Sequence, residues 1–260
     1  GGPGGTALYR PETRRDPRRA PGPVPGLARQ RPMPQARAVE NPLGFGPATQ
    51  ALLPDRRVGT LFLLRHGELV AQERRLLRGQ AEAPLSERGQ GEERALVRWM
   101  ASAGGGLDQV WSSDLGRCQS LGEALSREFG VPLALDPRLR EQHLGRFEGR
   151  DWEQLSVEYP QEVSAYWADY VHGRPPGGEN LADVARRAGE FLDEHAEGWL
   201  GRRVALVTHA GVLRVLLCRM LKMPLGEALR FAPPTGSLSL LRHSSAGFVI
   251  EGLFLRPPAP

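Results

Sequence analysis

The sequence contains an apolar run that ends in a basic tripeptide, Thr60-Leu61-Phe62-Leu63-Leu64-Arg65-His66-Gly67. The run predicts a buried β-strand, and the tripeptide would then follow directly at the strand's end. The histidine offers a nucleophile, the arginine beside it a cation, and the glycine an unobstructed backbone. This combination is typical of a site that handles phosphoryl groups, although a basic tripeptide can also be the solvated end of a strand.

Short apolar runs and amphipathic stretches alternate from residue 60 onward. The apolar runs cover 61–64, 110–112, 133–135 and 204–208, and the amphipathic stretches cover 86–101, 115–129, 152–170, 181–197 and 212–221. Strands that alternate with helices in this way predict right-handed crossovers and a mainly parallel sheet. We therefore expect an α/β fold, a three-layer α/β/α sandwich. The last two runs, 237–242 and 248–255, are expected to form a hairpin across residues 244–247.

Candidate functional residues fall at the carboxyl ends of these predicted strands. Arg65 and His66 follow the first strand, Ser112 and Ser113 end the second, and His209 follows the fourth. Ligands of open α/β sheets bind beyond these ends. A helix that starts near residue 211 would also point its free N–H groups at an anion held there. Three separate segments are thus expected to form one anion site.

Four further motifs follow the tripeptide along the chain. They are Pro84-Leu85-Ser86-Glu87-Arg88-Gly89, Ser112-Ser113-Asp114-Leu115-Gly116-Arg117, Leu139-Arg140-Glu141 with Gly145-Arg146-Phe147-Glu148-Gly149, and Thr208-His209-Ala210-Gly211. Together with Arg65-His66-Gly67 they resemble the histidine phosphatase superfamily, also called phosphoglycerate mutase-like, over about residues 60–215. The resemblance implies an enzyme that works through a phosphohistidine, with a small helical cap inserted in the sandwich.

The residue types fit attack on a phosphate ester. Neutral imidazole attacks phosphorus near neutral pH, so His66 is the candidate nucleophile. Arg65 and Arg117 would grip the phosphoryl oxygens, because guanidinium geometry matches them. His209, expected to be protonated among those oxygens, would add charge that strengthens toward the transition state. The family resemblance assigns the same four positions.

The proton donor comes from the resemblance alone. An alkoxide leaving group needs a proton, and the family's acid, which protonates the leaving oxygen and then activates water, corresponds to Glu141. From the residues themselves, Glu148 and Glu153 are equally suitable. Glu141 could also form only a surface ion pair with Arg140.

Two positions depart from the family pattern around the phosphate. The family usually has Arg-His-Gly-Glu-Thr and an asparagine six positions after the histidine, whereas this chain has Leu69 and Gln72 there. One hydrogen-bond donor is lost at Leu69, and Gln72 replaces the asparagine with a longer reach. The spacing to Gly79 matches the family. The expected substrate-binding set is therefore Arg65, Gln72, Gly79, Arg117 and His209.

The stretch from 142 to 180 resembles the family's cap and is rich in aromatic residues, which we expect mostly to pack together. Cofactor-dependent phosphoglycerate mutases usually read Glu-Arg-His-Tyr-Gly from the acid onward, whereas this chain has Glu141-Gln142-His143-Leu144-Gly145. That difference and the few cations of the cap favour the phosphatase branch, including the α-ribazole phosphatase type. The prediction is a phosphomonoester hydrolase. The alternatives are a cofactor-dependent phosphoglycerate mutase and a catalytically weak module that binds phosphorylated ligands.

The positive charge of the chain belongs to its first 57 residues. They hold ten arginines and four acidic residues, against 24 basic and 26 acidic residues in 58–260. Because they also hold 11 prolines and 8 glycines, residues 1–57 are predicted to be a disordered extension. This basic arm could contact nucleic acid, but a solvated linker is favoured. The catalytic domain is expected at 58–256, with the cap at about 142–180.

Composition points to a cytoplasmic enzyme. The apolar runs stay far below the roughly 18 residues of a membrane span, and two cysteines indicate no disulfide framework. No cysteine and histidine spacing suggests a metal, and no glycine-rich nucleotide loop is present, so neither a metal nor a cofactor is expected. The expected partner is a small phosphorylated substrate, with no membrane association, and the sequence leaves the substrate's identity and the oligomeric state open.

Overall fold

The computed structural model describes residues 57–258 and a short strand near the start of the chain. The strands are β1 (Ala7–Tyr9), β2 (Gly59–Arg65), β3 (Gln109–Ser112), β4 (Leu133–Leu135), β5 (Arg203–Thr208), β6 (Leu238–Ser244) and β7 (Gly247–Leu255). Within the described residues they form a seven-stranded sheet in the order β1-β4-β3-β5-β2-β6-β7.

The centre of the sheet is parallel and its two sides are antiparallel. β2 pairs in parallel with β5, and β3 pairs in parallel with both β5 and β4. β6 runs antiparallel to β2, β7 runs antiparallel to β6, and β1 runs antiparallel to β4. The predicted α/β fold is confirmed. The sheet is mixed, because β1 and the C-terminal hairpin add antiparallel strands to the parallel centre.

The predicted C-terminal hairpin is also confirmed. β6 pairs with β7 as far as Ser244 and Gly247, which leaves Ser245 and Ala246 in the turn. Gly247 has a φ of +122°, a conformation that costs glycine little. The hydroxyl of Ser244 accepts a hydrogen bond from the N–H of Ala246 at 3.1 Å, which ties the turn together.

Helices cover both faces of the sheet. They are α1 (Glu87–Ser102), α2 (Gly116–Phe129), α3 (Trp152–Glu158), α4 (Pro160–Ala168), α5 (Leu181–His195) and α6 (Ala210–Met220). Short 3-10 segments cover Gln72–Arg74, Pro137–Leu139, Gly145–Phe147, Ala196–Trp199 and Leu225–Arg230. The stretch predicted at 152–170 is two helices, since Pro160 starts α4 and keeps Tyr159 out of the helical conformation.

The core consists of two layers, one on each face of the sheet. Leu61 and Leu63 of β2 pack with α5 and α6, whereas Phe62 and Leu64 pack with α1 and α2. Successive residues of a strand point to opposite faces, so one continuous apolar strand supplies both layers. Burial of each such side chain stabilises the fold by about 1.5–3 kcal/mol.

A third apolar cluster lies in the cap, where α3 and α4 pack against the 3-10 turn Gly145–Phe147. Phe147, at its centre, is fully buried and contacts the rings of Trp152, Tyr159 and Tyr166. Most of the cap aromatics therefore hold the cap together, as expected from their helical spacing.

The predicted disordered extension, residues 1–57, lies outside the described residues except for β1 and residue 57. β1 pairs with Leu133–Leu135 at the edge of the sheet. Among the described helices, none has both the length and the apolar composition needed to cross a membrane. Cys118 and Cys218 are free and buried.

Candidate active site

Residues from several separate segments meet around one cavity beyond the ends of the parallel strands. Its volume is about 340 Å³, and its lining includes Arg65 and His66 after β2, Arg117 in the first turn of α2, and Glu141 in the loop before the cap. The structure thus brings these four predicted residues together. His209 lies behind them with no exposed surface, its ring centre 5.2 Å from that of His66.

The imidazole of His66 is held in one tautomer. Its Nδ1 lies 2.7 Å from the carbonyl oxygen of Gly67. A carbonyl oxygen can only accept, so Nδ1 carries and donates the hydrogen, and Nε2 keeps its lone pair. Burial, followed by the charges of Arg65 and Arg117, holds the pKa of His66 well below its usual range. The ring is therefore neutral at neutral pH, the form that attacks phosphorus.

Gly67 lets the loop after β2 lie directly against the start of α1. A Cβ at Gly67 would lie 2.3 Å from the carbonyl oxygen of Gly89, and one at Gly89 would lie 2.0 Å from that of Glu68. Neither backbone can give way to a side chain at such distances, so both crossing points need glycine. The glycine of the tripeptide therefore serves the packing of this loop on α1.

One N–H group of Arg65 has no hydrogen-bond acceptor in the described part of the protein. Its Nη1 donates to the carbonyl of Pro233 at 2.6 Å, whereas its buried Nε has no hydrogen-bond partner among the described residues. Burial lowers the pKa of Arg65, but an arginine keeps its charge in proteins. Arg65 lines the cavity beside His66 and keeps N–H donors beyond its bond to Pro233, so its guanidinium is suited to an anionic oxygen.

Arg117 is fixed on three sides. Its Nη2 donates to the carbonyl of Gly79 at 2.6 Å, its Nη1 to that of Ala81 at 2.9 Å, and its Nε to Nδ1 of His209 at 3.2 Å. A guanidinium has five N–H donors, so two stay available to a ligand. Arg117 is 3 % exposed, and its orientation is set before any ligand binds.

His209 is neutral in this structure, which differs from the expectation of a protonated ring. Because its Nδ1 accepts from Arg117, its Nε2 carries the hydrogen and donates to the hydroxyl of Ser113 at 2.9 Å. Burial and then the nearby His66 and Arg117 hold the pKa of His209 well below its usual range. Desolvation and neighbouring cations both favour the neutral ring, whereas the expected protonation depended on phosphoryl oxygens beside it.

Glu141 reaches the cavity from the loop before the cap and contacts the first turn of α6. Both of its carboxylate oxygens accept from the N–H of Gly211, at 3.1 and 3.2 Å. The N–H of Gly211 is therefore occupied by a side chain of the protein, and the sequence-based expectation that it faces the substrate has to be corrected. The reason is that Glu141 is covalently tethered at the same place and satisfies the free donor.

The alternatives to Glu141 as acid are placed elsewhere. Glu148 accepts from the backbone N–H groups of Gln80 and Leu144, at 2.9 and 3.0 Å, and Glu153 is exposed on α3. Neither lines the cavity. Arg140 forms a bidentate ion pair with Asp114, at 2.7 and 2.6 Å, so it is not the partner of the Glu141 carboxylate.

The remaining predicted contacts, Gln72 and Gly79, also line the cavity. Gln72 is an exposed residue in the 3-10 turn after β2. Gly79 is buried with a φ of +49° and supplies the carbonyl that holds Arg117. Leu69, which stands where the family has a threonine, is 4 % exposed, lines the cavity and pairs with Leu85 through an isolated β-bridge.

Comparison with known proteins agrees with this geometry. Residues 61–255 match the family model described as histidine phosphatase superfamily (branch 1). The chain belongs to the histidine phosphatase superfamily. It is 31 % identical over 192 residues to a Yersinia enterocolitica protein named "Probable phosphoglycerate mutase", which covers 74 % of this chain and 88 % of that relative.

Solved structures of phosphatases share the fold of this histidine phosphatase. The α-ribazole phosphatase of Shigella flexneri has a TM-score of 0.71 at 27 % identity, covering 77 % of this chain and 98 % of that one. A mycobacterial glucosyl-3-phosphoglycerate phosphatase has a TM-score of 0.67 at 26 % identity, covering 76 % and 99 %. The family predicted from the motifs is confirmed, and the chain is a histidine phosphatase.

Two arginines that the motifs did not indicate line the cavity of this histidine phosphatase, Arg78 and Arg214. Arg78 donates to the carbonyl of Val70 at 2.7 Å, and Nε of Arg214 donates to that of Phe231 at 2.9 Å. Arg214 follows Gly211 by three positions on α6, so the two share one helix face. That spacing is the sequence feature by which Arg214 could have been found.

The arginines of the cap do not line the cavity. Arg150 forms an ion pair with Glu158 at 2.6 Å, and Arg174 forms one with Asp183 at 2.6 Å. Arg146 is absent from the cavity lining as well. The arginines that line the cavity therefore come from the body of the enzyme and not from its cap.

Glu93 on α1 is a buried carboxyl group that sequence reasoning missed. It is 6 % exposed and accepts from the N–H of Gly67 at 3.1 Å and from the hydroxyl of Ser120 at 3.0 Å. It thereby joins the loop after His66 to α2, one turn beyond Arg117. Burial raises the pKa of Glu93 to about 7.

Replacing Glu93 with glutamine is expected to raise stability above neutral pH. The raised pKa means that the folded chain binds this proton more tightly than the unfolded chain. The stabilisation that comes from binding the proton is therefore present below pH 4.5 and is lost as pH rises through about 7. Glutamine carries no charge; its oxygen can still accept from the N–H of Gly67, and its NH2 group can donate to the hydroxyl of Ser120, which reverses that bond. The gain in unfolding free energy should reach up to about 3 kcal/mol at pH 8 and shrink toward zero near pH 5.

Thermal melts of Glu93→Gln at both pH values measure this gain, with Glu128→Gln on the exposed side of α2 as the matched control. The control should melt like the wild type. A Glu93 variant that is no more stable than wild type at pH 8 would contradict the prediction.

Proposed function

We propose that this histidine phosphatase hydrolyses a phosphate monoester of a small metabolite through a phosphohistidine on His66. The observation that carries the proposal is the tautomer of His66: the bond from Nδ1 to the Gly67 carbonyl leaves Nε2 as the nucleophile. Arg65, the preceding residue in the chain, also lines the cavity, and its guanidinium supports an anionic ligand at the same place.

In the first step, Nε2 of His66 attacks phosphorus and the bond from phosphorus to the ester oxygen breaks. Arg65 and Arg117 neutralise the phosphoryl oxygens, and protonated Glu141 gives its proton to the leaving oxygen. In the second step, Glu141 takes a proton from water, which attacks phosphorus. The phosphorus–nitrogen bond then breaks, and neutral His66 and inorganic phosphate are released.

We assign His209 a role through Arg117. Its Nδ1 accepts from Arg117 Nε, so it orients the guanidinium that contacts the phosphate. A preorganised donor stabilises charge that develops in the transition state without reorganising at the moment of reaction. Gly79 acts in the same way through its carbonyl, whereas Gln72 is proposed to contact the substrate from the cavity wall.

A mutase activity is the second candidate, and Arg78 and Arg214 are the observation that favours it. A mutase must keep a bisphosphate while it reorients, which requires cations at a distance from the nucleophile, and both arginines line the cavity. Hydrolysis is favoured because Arg150 and Arg174 of the cap are engaged in ion pairs and because the structural relatives named above are phosphatases.

Incubation with phosphorylated compounds separates these functions. The purified protein should release inorganic phosphate from p-nitrophenyl phosphate and from members of a panel of phosphorylated metabolites. With 3-phosphoglycerate and 2,3-bisphosphoglycerate, we expect slow or no release of phosphate and at most trace formation of 2-phosphoglycerate. Efficient isomerisation would identify a mutase, and phosphate binding without turnover on any compound would identify a binding module.

A further inference from the structure

The cavity changes character between its inner end and its opening. His66 and Arg117 at the inner end are each 3 % exposed, whereas Trp167 and Leu229, which also line the cavity, are 46 % and 45 % exposed. Large apolar side chains with that much exposure usually mark a binding surface when they are grouped in a concavity. The inner end is suited to a phosphate and the opening to an apolar group.

The indole of Trp167 packs against three neighbouring aromatic rings despite its exposure. It stacks on Tyr170 with ring centres 5.6 Å apart and an interplanar angle of 12°, and it contacts Trp152 at 5.0 Å. Tyr166, itself 3 % exposed, packs edge-on against it at 5.4 Å. A side chain that is already ordered loses little conformational entropy when a ligand packs on it.

The dimensions of the cavity call for more than a phosphate. Its volume of about 340 Å³ lies within the range of about 300–1,000 Å³ typical of pockets that enclose an organic ligand. Leu229 belongs to the 3-10 turn after α6 and Trp167 to the cap, so apolar surface comes from two separate parts of the fold. A small, fully polar alcohol would leave that surface in water.

We propose that the leaving alcohol carries a flat apolar ring that packs on Trp167, so that Trp167 selects phosphate monoesters of ring-bearing alcohols. The inference rests on the proposed function, because it assumes that the phosphate lies at His66. A ring there excludes water from the indole, and aromatic contact adds to the burial of apolar area. Trp167 would then be a specificity-determining residue and not part of the phosphoryl-transfer machinery.

Paired substrates test the proposal. Benzyl phosphate and propyl phosphate have leaving groups of similar basicity, so their values of kcat/KM compare recognition of the alcohol; cyclohexylmethyl phosphate adds a ring that is not flat. We expect benzyl phosphate to be preferred over propyl phosphate by about tenfold, with cyclohexylmethyl phosphate between them. Trp167→Ala should remove most of this preference, and Trp167→Phe should retain part of it.

Val157→Ala is the matched control, since Val157 is an exposed apolar residue of the cap, at 83 %, that does not line the cavity. It should leave the benzyl-to-propyl ratio unchanged. Calorimetric titration with benzylphosphonate and propylphosphonate, which cannot be hydrolysed, measures the same preference without turnover.

The two measurements separate the inference from the function beneath it. If the protein bound benzylphosphonate in preference to propylphosphonate but hydrolysed no ester, the proposed hydrolase activity would be refuted and the ring site would be supported. Hydrolysis of all three esters at equal kcat/KM, or equal losses for benzyl and propyl phosphate in Trp167→Ala, would overturn the ring site and leave the hydrolase. The ring site would also be overturned if Trp167→Ala and Trp167→Phe retained the preference for benzyl phosphate to the same extent.

Discussion

Replacing His66 with alanine should abolish turnover, with kcat reduced by roughly 10⁴-fold or more, as is typical when an essential nucleophile is removed. The physical reason is that the remaining groups can bind a phosphate but cannot form the covalent bond that divides the reaction into two steps. Rapid quenching with labelled substrate under alkaline conditions should trap an acid-labile phosphohistidine in the wild type and none in His66→Ala.

The matched control for this experiment is His172→Ala. His172 is a cap histidine whose side chain is 70 % exposed and pairs with Asp169, and it does not line the cavity. It should retain labelling and turnover. If His66→Ala folded normally and still incorporated label at the wild-type level, another residue would be the nucleophile.

Replacing Glu141 with glutamine should depend strongly on the leaving group. Loss of a general acid costs about 10²- to 10⁴-fold on substrates whose leaving oxygen needs a proton. Alkyl phosphates should therefore lose kcat/KM to this extent, whereas p-nitrophenyl phosphate, with a stable anionic leaving group, should lose far less. A glutamine oxygen can still accept from the N–H of Gly211, so the local structure should be preserved.

Glu141 is also the proposed base of the second step, so Glu141→Gln should slow hydrolysis of the phosphohistidine as well. With p-nitrophenyl phosphate, Glu141→Gln should give a burst of p-nitrophenol followed by a slow steady state, measured by stopped flow. Glu153→Gln, at an exposed position on α3 outside the cavity, is the control and should behave like the wild type. Equal losses on both classes of substrate would indicate that Glu141 positions the phosphate instead.

The fold and the position of His66 beside the cavity could both be predicted because they depend on local patterns. The apolar run 60–64 identifies β2, and a side chain that follows such a strand falls at the ligand-binding end of a parallel sheet. The last two strands could be predicted in the same way from a short turn between two apolar runs. Pro160 was the local feature that the helix prediction overlooked, and it divides α3 from α4.

The ionisation of the site could not be predicted from local patterns. His209 was expected to be protonated, but Arg117, 92 positions away, donates to its ring, and burial favours the neutral form. The N-terminus of α6 was expected to face the substrate, but Glu141, 70 positions before Gly211, takes the donor. Both outcomes depend on which groups meet after folding and on how much water is left around them.

The sequence alone indicated the alternation of strands and helices from residue 60 onward, the family, and the position of His66 at a strand end, because periodicity and strand ends are properties of short segments. Only the tertiary structure decided the tautomer of His66, the placement of Glu141 on α6, the entry of Arg78 and Arg214 into the cavity, and the burial of Glu93. Most of those features depend on contacts between segments that are remote in the sequence. Hydrogen bonds act over about 3 Å and desolvation depends on complete burial. A sequence can therefore indicate which residues belong to a site but not which of them are in contact.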